Sequence, residues 1–335
     1  PRISSTLLYT HHLKFLITPP PMPPPPTRPA YFKPVIHNQL RRARWHDYHS
    51  RCIYMVTITL ASGAPPLGYL QNADNPASAF IKPTIEGTIV SNEIIATPAH
   101  HPLVKILSFV IMPDHIHILL FVTATIKKPL GSIIQSLKAS STAKIRKATQ
   151  TARPIFAEGF HDRILSRNGQ LEILYRYIAD NPRRLAIKRK LPDLFRKYLH
   201  LRIGNEEYAA YGNIFLLRDF DKEAVAIHRS WSTSERTTHE RRWLACASNG
   251  GVLVSPFISR DEKALRERAI EHGARIIQLR AEGFPGRFKP TGRDFGLCES
   301  GRLLLLAPWP DNSSRLTMNR AMALTLNRLA NDIAA

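Results

Sequence analysis

His115 and His117 stand two apart in Pro113-Asp-His-Ile-His-Ile-Leu-Leu120. In a strand, residues two apart share a face. Both imidazoles then point one way, and Ile116, Ile118 and Leu120 point the other. Two imidazoles on one face of an apolar strand are costly to bury without partners. A divalent metal would satisfy both through neutral ring nitrogens. The ordinary alternative is a pair of exposed or hydrogen-bonded histidines, and His-x-His taken alone favours it.

A second constellation lies downstream, in Leu174-Tyr-Arg-Tyr-Ile-Ala-Asp-Asn-Pro-Arg-Arg184. Tyr177 and Asn181 are four apart and share one face of a helix. Asn181 could place a carbonyl oxygen on a metal near the Tyr177 hydroxyl. A tyrosine oxygen can attack a phosphodiester and form a covalent phosphotyrosine, which splits one hard transfer into two easier ones. A metal would polarise the scissile phosphate. The plain alternatives are a packed helix tyrosine and an Asn-Pro helix start.

These groups need elements to position them. Cys52–Leu60 is rich in β-branched and aromatic residues and reads as a strand. Residues 61–83 read as a loop, and 84–96 as a helix. The apolar runs 104–111 and 115–122, split by Met112-Pro-Asp114, read as a hairpin. Residues 130–148 carry Leu130, Ile133, Ile134, Leu137 and Ile145 at helical spacing. A short strand is expected over 163–166, then a helix over 171–188 interrupted at Asn181-Pro182. That order suggests an α+β, ferredoxin-like sandwich with an appended helix.

Charge is distributed unevenly. The 335 residues carry 47 Lys+Arg against 26 Asp+Glu, a net of +21, and residues 138–203 alone hold 16 basic and 5 acidic residues. Such a patch attracts polyanions, nucleic acid above all. Lys138, Lys144, Arg146 and Lys147 lie on or after the second helix. Arg183, Arg184, Lys188, Arg189 and Lys190 follow the tyrosine. All are candidate phosphate contacts, as are His161 and Arg163. No apolar run approaches the length of a membrane span. Cys52, Cys246 and Cys298 contain no Cys-x-x-Cys pair, which excludes a disulfide framework and fits a reducing cytoplasm.

Taken together, the blocks Met112–Leu120 and Tyr177-Ile-Ala-Asp-Asn-Pro-Arg-Arg184 resemble the two signature blocks of single-tyrosine HUH transposases. The similarity is greater to REP-associated tyrosine transposases, whose tyrosine block reads Tyr-Ile-x-x-Asn-Pro-x-Arg. Gly159-Phe-His-Asp-Arg-Ile164 resembles the segment preceding the tyrosine helix there. The resemblance covers about residues 45–200. It implies His115, His117 and Asn181 as ligands of magnesium or manganese, and Tyr177 as the nucleophile, with Tyr175 its rival. It also implies hairpin-bearing single-stranded DNA as substrate, a 5′-phosphotyrosine and a free 3′-hydroxyl as products, and the cytoplasm as location. A replication initiator or relaxase shares the two-histidine chemistry. A hairpin binder that has lost cutting is the non-enzymatic alternative. Monomer and homodimer stay equally open.

Four segments are expected. Residues 1–44, holding Pro23-Pro-Pro-Pro26, form a proline-rich disordered tail. Residues 45–203 form the transposase-like domain and hold every chemical group named above, so that fragment is expected to nick DNA. Residues 204–225 form a connector. Residues 226–335 form a small Rossmann-like α/β domain, with strands over 251–256, 274–279 and 303–307 and helices over 261–272 and 319–333. Gly-x-Gly-x-x-Gly and Walker motifs are missing, which leaves an accessory DNA-binding or protein-contact module as the expectation.

Overall fold

The computed structural model describes Ala43 and residues 45–285, 288–309 and 318–335. The expected tail over 1–44 therefore lies almost wholly outside the described residues. Among the described residues no helix is long and apolar enough to cross a membrane.

The first sheet begins with β1 (Cys52–Thr59), followed by the hairpin β2 (Gly68–Gln71) and β3 (Phe80–Pro83). Next come α1 (Ile85–His100), β4 (Val104–Ile111), β5 (His115–Val122), α2 (Leu130–Thr149), β6 (His161–Ile164) and α3 (Gln170–Lys190). Four strands make one antiparallel sheet in the order β4-β5-β1-β6. Alternation along the strands divides its two faces. Tyr54, Val56, Ile58, Ile116, Ile118, Leu120 and Val122 join Val90 and Ile94 of α1 and Leu130, Ile133, Ile134 and Leu137 of α2 in the main core. Met55 and Leu119 face the opposite way and pack against Leu174 and Ile178 of α3. The chemistry lies on this second face.

Thr84 caps α1 by accepting from the Gly87 amide at 3.2 Å. Gly87 is required there, because a Cβ would lie 1.9 Å from the Leu67 carbonyl oxygen. Between the two core helices, Glu93 is 7% exposed and accepts from Ser140 and Lys144 of α2.

The second sheet is built from β7 (Lys197–Ile203), β8 (Glu206–Gly212), β9 (Lys222–Ala224), β10 (Val252–Ser255), β11 (Arg275–Leu279) and β12 (Leu303–Ala307). Their order is β7-β8-β12-β11-β10-β9. β9 to β12 run parallel, and the β7–β8 hairpin is added antiparallel to β12. Every residue of β10 and β12 is buried, as strands covered on both faces require. One face carries α4 (Thr233–Ser248), α5 (Arg260–Glu271) and α6 (Arg293–Glu299), through Trp243, Leu265, Ala269 and Leu297. The other carries α7 (Arg320–Ala334), through Leu326, Leu329 and Ile333.

Several expectations are corrected. The loop expected over 61–83 contains the β2–β3 hairpin. The helix expected to break at Asn181-Pro182 runs unbroken through Pro182. A proline in a helix interior costs about 3 kcal/mol. The apolar stripe on both sides of it, Leu174 and Ile178 before and Ala186 and Ile187 after, is buried and offsets that cost. The boundary at 203 falls inside the second sheet, because β7 pairs with β8. The connector over 204–225 holds β8 and β9, two strands of that sheet.

Candidate active site

β5 delivers both histidines to the α3 face. In register, His117 is opposite Thr57 and His115 is opposite Thr59 of β1. Their rings meet edge to face, with centroids 4.7 Å apart. Each has its Nδ1 engaged. His117 Nδ1 pairs with the Thr57 hydroxyl at 2.8 Å. His115 Nδ1 pairs with Asp114 Oδ1 at 2.6 Å, and since a carboxylate only accepts, the ring nitrogen donates. Partners on Nδ1 fix ring orientation and turn Nε2 to the open side. The Asp114 carboxylate also fixes the His115 tautomer, and Nε2 of His117 can coordinate when the Thr57 hydroxyl accepts from Nδ1. Burial pulls the His117 pKa down to about 3, with His115 and Lys289 adding to the fall and Asp114 opposing it. The imidazole is therefore neutral at ordinary pH, as a ligand must be. Asp114 is held at about 2, chiefly by its hydrogen bond with His115.

α3 supplies the rest. Leu174, Tyr177, Ile178 and Asn181 follow a three-and-four spacing, so one stripe carries the packing and the chemistry together. Tyr177 lies with its ring centroid 5.4 Å from that of His117. Burial raises its pKa, and the nearby Arg184 guanidinium opposes the rise. Tyr175, on the other side of the helix, is 37% exposed. Asn181 is buried at 7% exposure, and its Nδ2 donates to the Tyr177 carbonyl at 2.6 Å. Its amide nitrogen is thus spent within the helix, and Oδ1 is left as the donor atom. Two tethered imidazoles and an amide oxygen are donor types that suit a divalent cation. Among the described residues no three His, Cys, Asp or Glu side chains gather for a metal, and Asn181 is of none of those types.

The expected phosphate contacts are scattered. Lys138, Lys144, Arg146 and Lys147 sit on α2, across the sheet from Tyr177. Lys138 donates to the Ala157 and Gly159 carbonyls at 2.7 and 2.9 Å, and Lys144 is paired with Glu93. Lys138 and Arg146 also line a shallow cleft of about 490 Å³ with Pro154 and Phe156. Arg146, Lys147 and Arg189 are exposed. His161 and Arg163 are exposed on β6, opposite Thr57 and Met55, which puts them on the α3 face. Lys190 donates to the Asp74 carbonyl at 3.1 Å.

Arg183, Arg184 and Lys188 face the second sheet's helices instead. Arg183 bridges Asp180 at 2.5 Å and Glu299 of α6 at 2.9 Å. Arg184 lies 3.6 Å over the Phe295 ring, donates to the Pro290 carbonyl at 3.0 Å, and has its Cζ 5.5 Å from the Tyr177 ring centroid. Lys188 stands 5.8 Å over Phe295, and burial brings its pKa down to about 8. Sequence reading missed Thr57, Asp114 and Pro290. Asp114 was within reach, as the neighbour of His115. Thr57 depends on strand register, and Pro290 lies more than a hundred residues from Tyr177.

Residues 84–181 match the family model of IS200-like transposases. The match opens at the cap of α1 and closes at Asn181, spanning both histidines and the tyrosine. This part of the chain is similar to IS200-like transposases. A Haemophilus influenzae protein of uncharacterised role is 22% identical over 169 residues, covering 44% of this chain and 88% of that one. Among solved structures, a REP-associated tyrosine transposase bound to a REP hairpin is 15% identical with a TM-score of 0.29, over 42% of this chain and 73% of that one. A candidate transposase from Deinococcus radiodurans R1 is 16% identical with a TM-score of 0.23, over 42% and 95%. At such scores the family match carries the transposase reading and the superpositions do not.

Proposed function

We propose that this transposase-like protein cleaves and rejoins single-stranded DNA beside hairpins, with Tyr177 as nucleophile. The observation that carries this reading is the placement of the Tyr177 ring 5.4 Å from His117, on the sheet face that also holds His115. Tyr177 Oη attacks phosphorus and the bond to the 3′ oxygen breaks. The proton that the phenol gives up is balanced by the one the 3′ oxygen gains. The products are a 5′-phosphotyrosine and a free 3′-hydroxyl, and the reverse attack rejoins strands. His115, His117 and Asn181 would hold magnesium or manganese, which when bound polarises the scissile phosphate. Thr57 and Asp114 hold the imidazoles in orientation.

The strand order β4-β5-β1-β6, with α1 and α2 on one face, fits a ferredoxin-like HUH domain. The four parallel strands β9 to β12 with helices on both sides fit a Rossmann-like accessory domain. Hairpin-bearing single-stranded DNA is the partner this reading requires.

Tyr177→Phe removes one oxygen and keeps the ring. Both nicking of a hairpin oligonucleotide and the covalent protein–DNA adduct should vanish, while Tyr175→Phe should retain both. Mass spectrometry of the adduct peptide locates the attachment. Nicking without an adduct, or an adduct on Tyr175, overturns the assignment. His115→Ala and His117→Ala should each abolish cleavage and leave most of the DNA binding, which comes mainly from phosphate contacts. Full activity in excess chelator would remove the metal.

A further inference from the structure

Tyr177, Asn181 and Arg184 follow a four-and-three spacing, so the three side chains share one stripe of α3. Long helical side chains lean back toward the N-terminus, over the preceding turn. Arg184 does so, and its Cζ is 5.5 Å from the Tyr177 ring centroid. What fixes the guanidinium itself comes mostly from outside α3. Its Nη2 donates to the Pro290 carbonyl at 3.0 Å, and its Cζ lies 3.6 Å over the ring of Phe295 in α6. Phe295 is 2% exposed, and its ring rests against Phe195 with centroids 5.0 Å apart. α3 offers only Asp180, whose Oδ2 is 3.9 Å from Nη1. That carboxylate already takes Arg183 at 2.5 Å. Arg184 is 13% exposed, so these groups hold it rather than bulk water.

Attack on phosphorus is sensitive to where the attacking oxygen stands: a displacement of about 1 Å can cost on the order of 100-fold in rate. The phenol oxygen lies at the far end of its side chain, so a small turn of the ring moves it most. Beside that ring stand the His117 imidazole, 5.4 Å away by centroids, and the Arg184 guanidinium. Thr57 tethers His117 from within the first sheet. Arg184 is tethered from the second sheet's side. A guanidinium laid against an aromatic ring is held by charge and by stacking together, so one cation links Phe295 to Tyr177. We propose that Arg184 is a positioning residue for Tyr177, and that Phe295 and the Pro290 carbonyl make the second sheet's side a part of that positioning. The guanidinium is then spent on rings, a carbonyl and a carboxylate rather than on the DNA backbone. This inference rests on the single-tyrosine cleavage reading above.

The test uses the full chain with Arg184→Met, Arg184→Lys, Phe295→Leu and the Arg184→Met/Phe295→Leu pair. Glu299→Gln is the control, since it loosens the same contact region at Arg183 instead. Two quantities are measured on one hairpin-bearing single-stranded oligonucleotide: the dissociation constant, and the single-turnover rate of adduct formation at saturating DNA. Melting midpoints are taken alongside. Arg184→Met should slow the saturated rate by about 10- to 100-fold, with less than about a threefold change in affinity, which comes from phosphate contacts elsewhere. Arg184→Lys keeps the charge without the flat, forked head and should stay slow. Phe295→Leu should slow the rate by about tenfold, and Glu299→Gln should match the parent. Phe295 also lies under Lys188 at 5.8 Å, and the pair separates the two routes. If Phe295 acts through Arg184, the pair is no slower than Arg184→Met alone. Losses that multiply in the pair overturn the proposal, as does full recovery by Arg184→Lys or a Glu299→Gln variant as slow as Phe295→Leu. Weaker binding by Arg184→Met with an intact saturated rate makes Arg184 a phosphate contact and also overturns it. If Arg184→Met melts below the assay temperature, Phe295→Leu decides, and a folded Phe295→Leu protein with the parent's rate sinks the positioning role. A Tyr177 adduct in the parent keeps the cleavage reading standing through any of these failures. No adduct in the parent sinks the cleavage reading itself.

Discussion

Thr57 shows how much a single hydroxyl can control. It contributes no coordinating atom, yet it holds His117 Nδ1 at 2.8 Å and so decides which nitrogen the ring presents. Partners of this kind typically change metal affinity 10- to 100-fold when removed. Thr57→Val keeps the β-branched shape that the strand favours. The metal concentration giving half-maximal nicking should rise by about that factor, with nicking restored at saturating metal. A loss that saturation does not rescue would mean that Thr57 acts on something other than ligand orientation.

At the scale of elements, the α1–α2 pair is locked by the buried Glu93. Burial would raise its pKa, but hydrogen bonds from Lys144 and Ser140 outweigh that and hold it below the usual glutamate range. A carboxyl whose folded pKa is depressed contributes stability above its unfolded pKa, and that contribution is lost as pH falls through the folded value. Lys144→Met should cost about 1–3 kcal/mol at pH 7 and flatten the acid limb, measured by denaturant midpoints from pH 7 down to pH 3. Gly87→Ala should cost about 3 kcal/mol, because its Cβ meets the rigid Leu67 carbonyl rather than a movable side chain. The same elements show what the sequence could reveal. β4 and β5 were legible because long apolar runs flank Met112-Pro-Asp114. β2 and β3 were not, being four residues each and mostly unburied. α4 is a polar helix with little periodicity, although Ser232-Thr-Ser-Glu235 spells the capping box that starts it. The Tyr177–Asn181 pair was legible from spacing alone. Its relation to Arg184, Phe295 and Pro290 was not, since no local pattern encodes a contact between distant segments.

For the whole molecule, the docking of two sheets alters what a fragment should do. A cut at residue 203 strips β7 of its partner β8 and removes Phe295, Pro290 and Glu299 from α3. The fragment spanning 45–203 should thus bind DNA but form adduct far more slowly than the full chain, measured at saturating substrate. Equal rates would show that the second sheet contributes nothing to the chemistry. With a net charge of +21, affinity for single strands should fall steeply with salt, by about 0.7 in log–log slope for each phosphate neutralised. A flat salt profile would contradict phosphate-driven binding.

The pairing of β8 with β12 also sets an order of events during synthesis. β8 ends at Gly212 and its partner β12 begins at Leu303, so about ninety residues must be translated between them. At roughly 5–20 residues per second, the nascent transposase-like domain waits on the order of ten seconds after α3 emerges. Throughout that interval Arg184 has neither the Phe295 ring nor the Pro290 carbonyl to rest on. The face of α3 that carries Tyr177 and Arg184 is then held short of its finished surroundings until the segment from Pro290 to β12 has been made.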